Sequence, residues 1–119
     1  MDPLKQKFFQ KSSEVKQEIK NLLAEHSNTV VDEVTLGQVF GGARDIIFML
    51  WEPSLLDAQE GIRFRGYSLP ELREKLPKGR GRGPRPGGLF WLMLVDEIPT
   101  EAEVEWLRDQ WGRRSRVPP

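Results

Sequence analysis

The 119 residues include no cysteine. That excludes disulfides, thiolate metal sites and a cysteine nucleophile, and leaves the redox compartment open. There is one histidine, His26, and no second imidazole or thiol to complete a coordination set. Glu25 beside it is a single position away, a spacing at which helical side chains point in different directions. No excess charge of either sign exists, since 18 basic and 18 acidic residues cancel. A whole-chain field favouring nucleic acid, an anionic membrane or an acidic substrate is therefore excluded. Long apolar runs are missing as well: Ile46 to Trp51 and Leu89 to Val95 fall far short of the ~20 residues of a membrane helix. After Lys5, Lys7 and Lys11 there is no apolar signal core, and the N-terminus is not arginine-rich and acid-poor like a mitochondrial presequence. With Met1 at the start, this favours a bacterial cytoplasm; the alternative is a mitochondrial matrix protein whose presequence has been removed.

What is present reads mainly as helix. Asp2 as N-cap and Pro3 in the first turn open a helix predicted to reach His26, with Val15, Ile19, Leu22 and Leu23 as an apolar stripe. Ser12-Ser13 offers a second cap that would break it near Lys11. Thr29 to Val31 is a short β-branched run, and the Thr35 hydroxyl is placed to cap a brief helix over Leu36 to Phe40, ended by Gly41-Gly42. Asp45 to Glu52 is almost wholly apolar and suits a buried strand. Beyond a breaker-rich turn from Pro53 to Gly61, Ile62 to Arg65 alternates like a half-buried strand, so a long-looped β-hairpin is expected at about 45–65. Ser68-Leu69-Pro70-Glu71 and Thr100-Glu101-Ala102-Glu103 are capping boxes that open two further helices. Five glycines and two prolines in residues 78–88 predict a flexible loop. Leu89 to Val95 is apolar on every face, and as a helix it demands cover on all sides.

Several groups are candidates for chemistry. Arg44, directly after Gly41-Gly42-Ala43, projects from a flexible turn where a guanidinium can grip phosphate by two parallel hydrogen bonds; from the residues alone, a salt-bridged arginine after a helix stop is the favoured reading. Arg63 and Arg65 read as a solvated or paired strand face. Lys78, Arg80, Arg82 and Arg85 lack interleaved aromatics to stack bases, which argues for a solvated surface loop over nucleic-acid binding. Nothing in the sequence brings Glu60 and Glu71 together as paired carboxylates, and Glu71 already has a capping role. No catalytic constellation and no metal site is complete.

The run Glu60-Gly61-Ile62-Arg63-Phe64-Arg65-Gly66-Tyr67-Ser68-Leu69-Pro70, with Ser54-Leu55-Leu56-Asp57 before it and Gly88 to Leu92 and Ile98 to Glu101 after it, resembles citrate synthase of the mitochondrial-like branch. The resemblance runs from about His26 to Trp111 and is loose before Ile19. It implies a mainly α fold, the N-terminal helical part of that family's large domain with the small hairpin, and residues 1–119 as one incomplete domain. It also implies the condensation of acetyl-CoA with oxaloacetate, a homodimer, and no tightly bound cofactor beyond the CoA substrate and product. The aspartate and two histidines that act in the family lie downstream of the matched region, so this chain is expected to be catalytically incomplete, and His26 is none of them. One position carries over: Arg44 stands where the family's Gly-Gly-x-Arg arginine helps bind the phosphate end of CoA in the partner subunit's active site. Asp45-Ile46-Ile47-Phe48 departs from the family's glycine- and lysine-containing sequence, and Asp45 is placed to pair with Arg44. The alternative readings are a non-catalytic interaction or dimerisation module and, below that, the arginine-glycine loop as a nucleic-acid arm.

Overall fold

The computed structural model describes residues 2–49, 54–81 and 83–115. These divide into two compact units, one of Met1–Ser13 with Pro53–Pro119 and one of Glu14–Glu52. Five helices and three short strands follow the chain order α1 (Pro3–His26), α2 (Leu36–Phe40), β1 (Ser54–Asp57), β2 (Gly61–Phe64), β3 (Tyr67–Ser68), α3 (Leu69–Lys75), α4 (Pro86–Val95) and α5 (Glu101–Arg114). The mainly helical expectation with a small hairpin holds. Helix α1 is continuous through Ser12-Ser13, so the alternative break is not used. Ser13 instead donates its hydroxyl to the Phe9 carbonyl one turn back.

The hairpin sits later than expected. Ile46 to Met49 form no strand and lie largely in solvent, while Leu50 to Glu52 fall outside the described residues. The first strand is β1, which pairs antiparallel with β2 in the register Ser54↔Phe64 to Asp57↔Gly61. The physical reason lies in the turn. The Asp57 carboxylate accepts the backbone N–H groups of Gln59 and Glu60, both at 2.8 Å, and Gly61 takes φ 85°. These bonds close a tight three-residue loop and pair the residues flanking it, so the breaker-rich stretch supplies both turn and strand. They also hold the Asp57 carboxyl below its ordinary range.

Between β2 and β3 the chain reverses over Arg65 and Gly66, at φ 48° and 80°, the pair of left-handed residues that a tight hairpin turn requires. For arginine that conformation is unfavourable, and the side chain is anchored in compensation. Its Nε and one terminal nitrogen donate to the Met93 carbonyl at 3.2 and 2.7 Å, near the end of α4 where carbonyls lack helical partners.

Both predicted capping boxes form. Ser68 accepts from the Glu71 N–H while Glu71 accepts from the Ser68 N–H, and Thr100 and Glu103 reciprocate in the same way. They start α3 and α5 on either side of α4. Leu72 of α3 and Leu76 at its C-cap pack with Leu92, and Trp91 and Val95 pack with Leu107 of α5 and the half-buried Leu4 and Trp106. Helix α4 begins at Pro86, inside the segment expected to be a loop. Proline is suited to the first turn, and the two glycines that suggested a loop are there for close approach. A Cβ on Gly87 would lie 3.4 Å from a Leu107 methyl, and one on Gly88 would lie 3.3 Å from a Leu76 methyl. Enclosure of α4 is incomplete within the chain, because Phe90 and Leu94 remain 43% and 36% exposed.

The start of α1 is tied to this unit by charge. Lys7 pairs with Glu97 at 2.8 Å and Glu103 at 3.0 Å, and Lys11 approaches Asp96 at 3.6 Å. The Lys7 ammonium also stands 5.8 Å from the ring centre of Trp91. That indole is fully buried, and its N–H has no hydrogen-bond partner among the described residues.

Candidate functional site

Arg44 lies in the second unit, on the turn that follows α2. Thr35 caps α2 in extended conformation, and the third helical residue, Gln38, completes a capping box with it. The Gln38 Oε1 accepts the Thr35 N–H at 2.9 Å and the Thr35 hydroxyl at 3.1 Å, while the Thr35 Oγ1 accepts the Gln38 N–H at 3.3 Å. Gly41 and Ala43 then donate backbone N–H groups to the carbonyls of Gly37 and Gln38 at 2.8 and 2.9 Å, ending the helix. Beyond it the backbone turns left-handed three times: Gly42 at φ 83°, Ala43 at 60° and Asp45 at 57°. Ala43 and Asp45 carry side chains there, with Arg44 between them. The Gln38 Nε2 donates to the Asp45 carbonyl at 3.3 Å, across the base of the turn.

Arg44 itself is exposed, and among the described residues it has neither an ion pair nor a hydrogen bond. The expected pairing with Asp45 is absent among those residues. The departure at position 45 acts on the backbone instead, where aspartate occupies a conformation that glycine adopts freely and that aspartate tolerates better than most residues.

Three of the other candidate arginines, Arg63, Arg65 and Arg85, are occupied. Arg63 pairs with Glu60 at 2.8 Å, stands 3.9 Å from Glu71 and donates to the Gly66 carbonyl. Glu60 and Glu71, which nothing in the sequence seemed to unite, therefore share one guanidinium. They are not a free carboxylate pair. The Glu71 carboxyl is held below its ordinary range, first by the Ser68 N–H and then by the Ser68 hydroxyl. Arg65 serves the end of α4. Arg85, expected on a flexible loop, pairs with Glu105 of α5 and donates to the Lys78 carbonyl, and Lys78 bridges to Pro84. Arg82 lies outside the described residues. His26 does approach its sequence neighbour, at 3.9 Å from Glu25, contrary to the expectation for adjacent helical positions. Both are exposed at the end of α1. Among the described residues no three His, Asp or Glu side chains converge as a metal set, and no helix is long and apolar enough to cross a membrane.

Sequence reasoning missed Gln38. Its signal was available: Thr35-Leu36-Gly37-Gln38 has the spacing of the two capping boxes that were recognised, with glutamine in place of glutamate.

No protein-family model matches the chain. Among curated proteins it is similar to "Citrate synthase, mitochondrial" of Neurospora crassa, 52% identical over 116 residues that make up 97% of this chain and 25% of that protein. The protein of the same name from Aspergillus niger is 48% identical over 97% of this chain and 24% of its own length. "2-Methylcitrate synthase, mitochondrial" of Yarrowia lipolytica is 47% identical over 98% and 25%. The chain thus spans about a quarter of the length of the curated relatives it matches. The similarity reaches further than the stretch from His26 to Trp111, taking in most of α1. These relatives are mitochondrial by name, and they give no support to the expectation of a bacterial cytoplasm.

Proposed function

We propose that this chain, which belongs to the citrate synthase family and represents its N-terminal part, supplies helical scaffold and one CoA-phosphate contact, Arg44, to an enzyme that condenses acetyl-CoA with oxaloacetate. The observation that carries the site is the exposed Arg44 guanidinium, without a described partner, on a backbone turn held at both ends. Such a group can form two parallel charge-assisted hydrogen bonds to a phosphate, and no competing carboxylate among the described residues has to be displaced first. In the homodimer we infer, Arg44 reaches the active site of the partner subunit, and residues 1–119 form one incomplete domain completed by the rest of a synthase subunit. Acetyl-CoA as acyl donor is supported by the citrate synthases among the relatives, at 52% and 48% identity, beside a 2-methylcitrate synthase at 47%. The names of the relatives support a mitochondrial matrix location.

Alone, the chain is expected to release no free CoA from acetyl-CoA and oxaloacetate, because His26 is its only histidine and the family's acid-base groups lie downstream. Turnover by rigorously purified chain, assayed by thiol release, would refute this reading.

A second reading, an interaction or dimerisation module, draws support from the exposed apolar side chains of residues 14–49. Val30, Leu36, Phe40 and Phe48 are each more than three-quarters exposed. A defined oligomer in sedimentation favours it, and a clean monomer counts against it.

A further inference from the structure

We propose that Gln38 is the positioning residue for Arg44, fixing the backbone frame from which the guanidinium meets a phosphate of CoA. This rests on the reading of Arg44 given above. The chemistry of the contacts sets the orientation of the amide. The Thr35 backbone N–H can only donate, so the Gln38 oxygen must face it, and the NH2 group is left to donate to the Asp45 carbonyl, which can only accept. One side chain therefore bonds the start of α2 and the far side of the turn, while its own backbone carbonyl accepts the Ala43 N–H from the near side.

A link of this kind matters here because little else holds the turn. Ala43 and Asp45 sit in left-handed conformations that disfavour residues with a Cβ, and such conformations persist only where neighbouring bonds impose them. No apolar core lies beneath: among residues 14–49 none is buried, and only Val15, Gln38 and Ile46 are partly buried. With the Asp45 end released, the backbone on both sides of Arg44 is free to relax to ordinary conformations. The arginine would then lose its fixed origin.

Gln38→Glu separates the two roles. Glutamate keeps the acceptor that completes the capping box and loses the donor to Asp45. The test measures coenzyme A affinity by calorimetry in the dimeric synthase of which residues 1–119 are the N-terminal part, and compares wild type, R44A, Q38E and the double variant. Thermal melts are recorded in parallel. Expected are a loss of about tenfold in affinity for R44A, the scale of a charge-assisted phosphate contact, and about three- to fivefold for Q38E with an unchanged melting midpoint. The double variant should bind no more weakly than R44A alone, since Gln38 acts only through Arg44. If Q38E binds like wild type while R44A is weakened, the role of Gln38 is refuted and that of Arg44 stands. A Q38E loss that adds to that of R44A likewise refutes positioning. If wild type shows no binding, or R44A matches wild type, the Arg44 reading fails and the role of Gln38 falls with it.

Discussion

Three helices in this chain start from the same device, a hydroxyl residue bonded reciprocally to the residue three positions on, yet their fates differ. Helices α3 and α5, begun at Ser68 and Thr100, bury Leu72, Val104 and Leu107 against α4. Helix α2, begun at Thr35, buries nothing, and Leu36, Val39 and Phe40 are 76%, 58% and 88% exposed. A capping box sets where a helix begins by satisfying backbone donors. Whether the helix acquires a core depends on an apolar neighbour at the right distance, and α4 is that neighbour for α3 and α5. The first unit is organised by burial, whereas the turn after α2 is organised by hydrogen bonds alone.

Removing the central side chain of the first unit should widen this contrast most. Trp91→Ala empties a fully buried site and is expected to cost about 3 to 5 kcal/mol, whereas Phe40→Ala in the second unit should stay within about 0.5 kcal/mol. Denaturant unfolding of the two variants measures both, and equal losses would break the distinction between the units.

Acid provides a finer contrast, because two of the three boxes use a carboxylate and the third an uncharged amide. Burial raises the Glu103 pKa, but bonds from the Thr100 N–H, from Lys7 and from the Thr100 hydroxyl outweigh it and hold the carboxyl below the ordinary glutamate value of 4.5. Glu71 is also lowered, by its Ser68 bonds. For a lowered carboxyl, the stabilisation is present above the unfolded value near 4.5 and is lost as pH falls through the folded value. The Lys7 pKa is raised, first by its bond to Glu97 and then by Glu103, so its contribution is present below the ordinary 10.5 and is lost as pH rises through the folded value. Amide exchange at Glu71 and Glu103 should therefore accelerate on acidification below about pH 4.5 relative to the intrinsic rate, while Gln38 keeps its protection. Parallel loss at all three would show that the caps report global unfolding.

The smallest effect concerns the hydroxyls. Thr100→Ala should lower global stability by about 1 kcal/mol, and Thr35→Ala by only a few tenths, because α2 carries no core whose loss would register. Melting midpoints of the two variants check this, and a larger shift for Thr35→Ala would indicate a hidden core in the second unit.

Features that depend on neighbours in sequence were legible: Pro3 and Asp2 at the start of α1, both carboxylate boxes, the glycine stop after Phe40. Those that depend on tertiary cover were not. Gly87-Gly88 reads as a loop until Leu76 and Leu107 are seen against it, and Ile46 to Met49 reads as a buried strand until nothing is found to bury it. Arg44 was visible because two glycines precede it and a family resemblance supports it. The grip of Gln38 on Asp45 was hidden for a physical reason: it spans a turn whose left-handed residues include an alanine and an aspartate, so composition does not announce the reversal.

The Lys7 ammonium above the Trp91 ring gives the first unit an internal optical gauge. An indole shielded from water, with no acceptor at its N–H among the described residues, emits at the blue end of the tryptophan range, and a cation fixed beside the ring shifts that emission through its field. Detachment of the start of α1 would remove the charge and open one side of the indole in a single event. The emission of Trp91, read apart from that of Trp51, Trp106 and Trp111, would then record whether the first helix is seated.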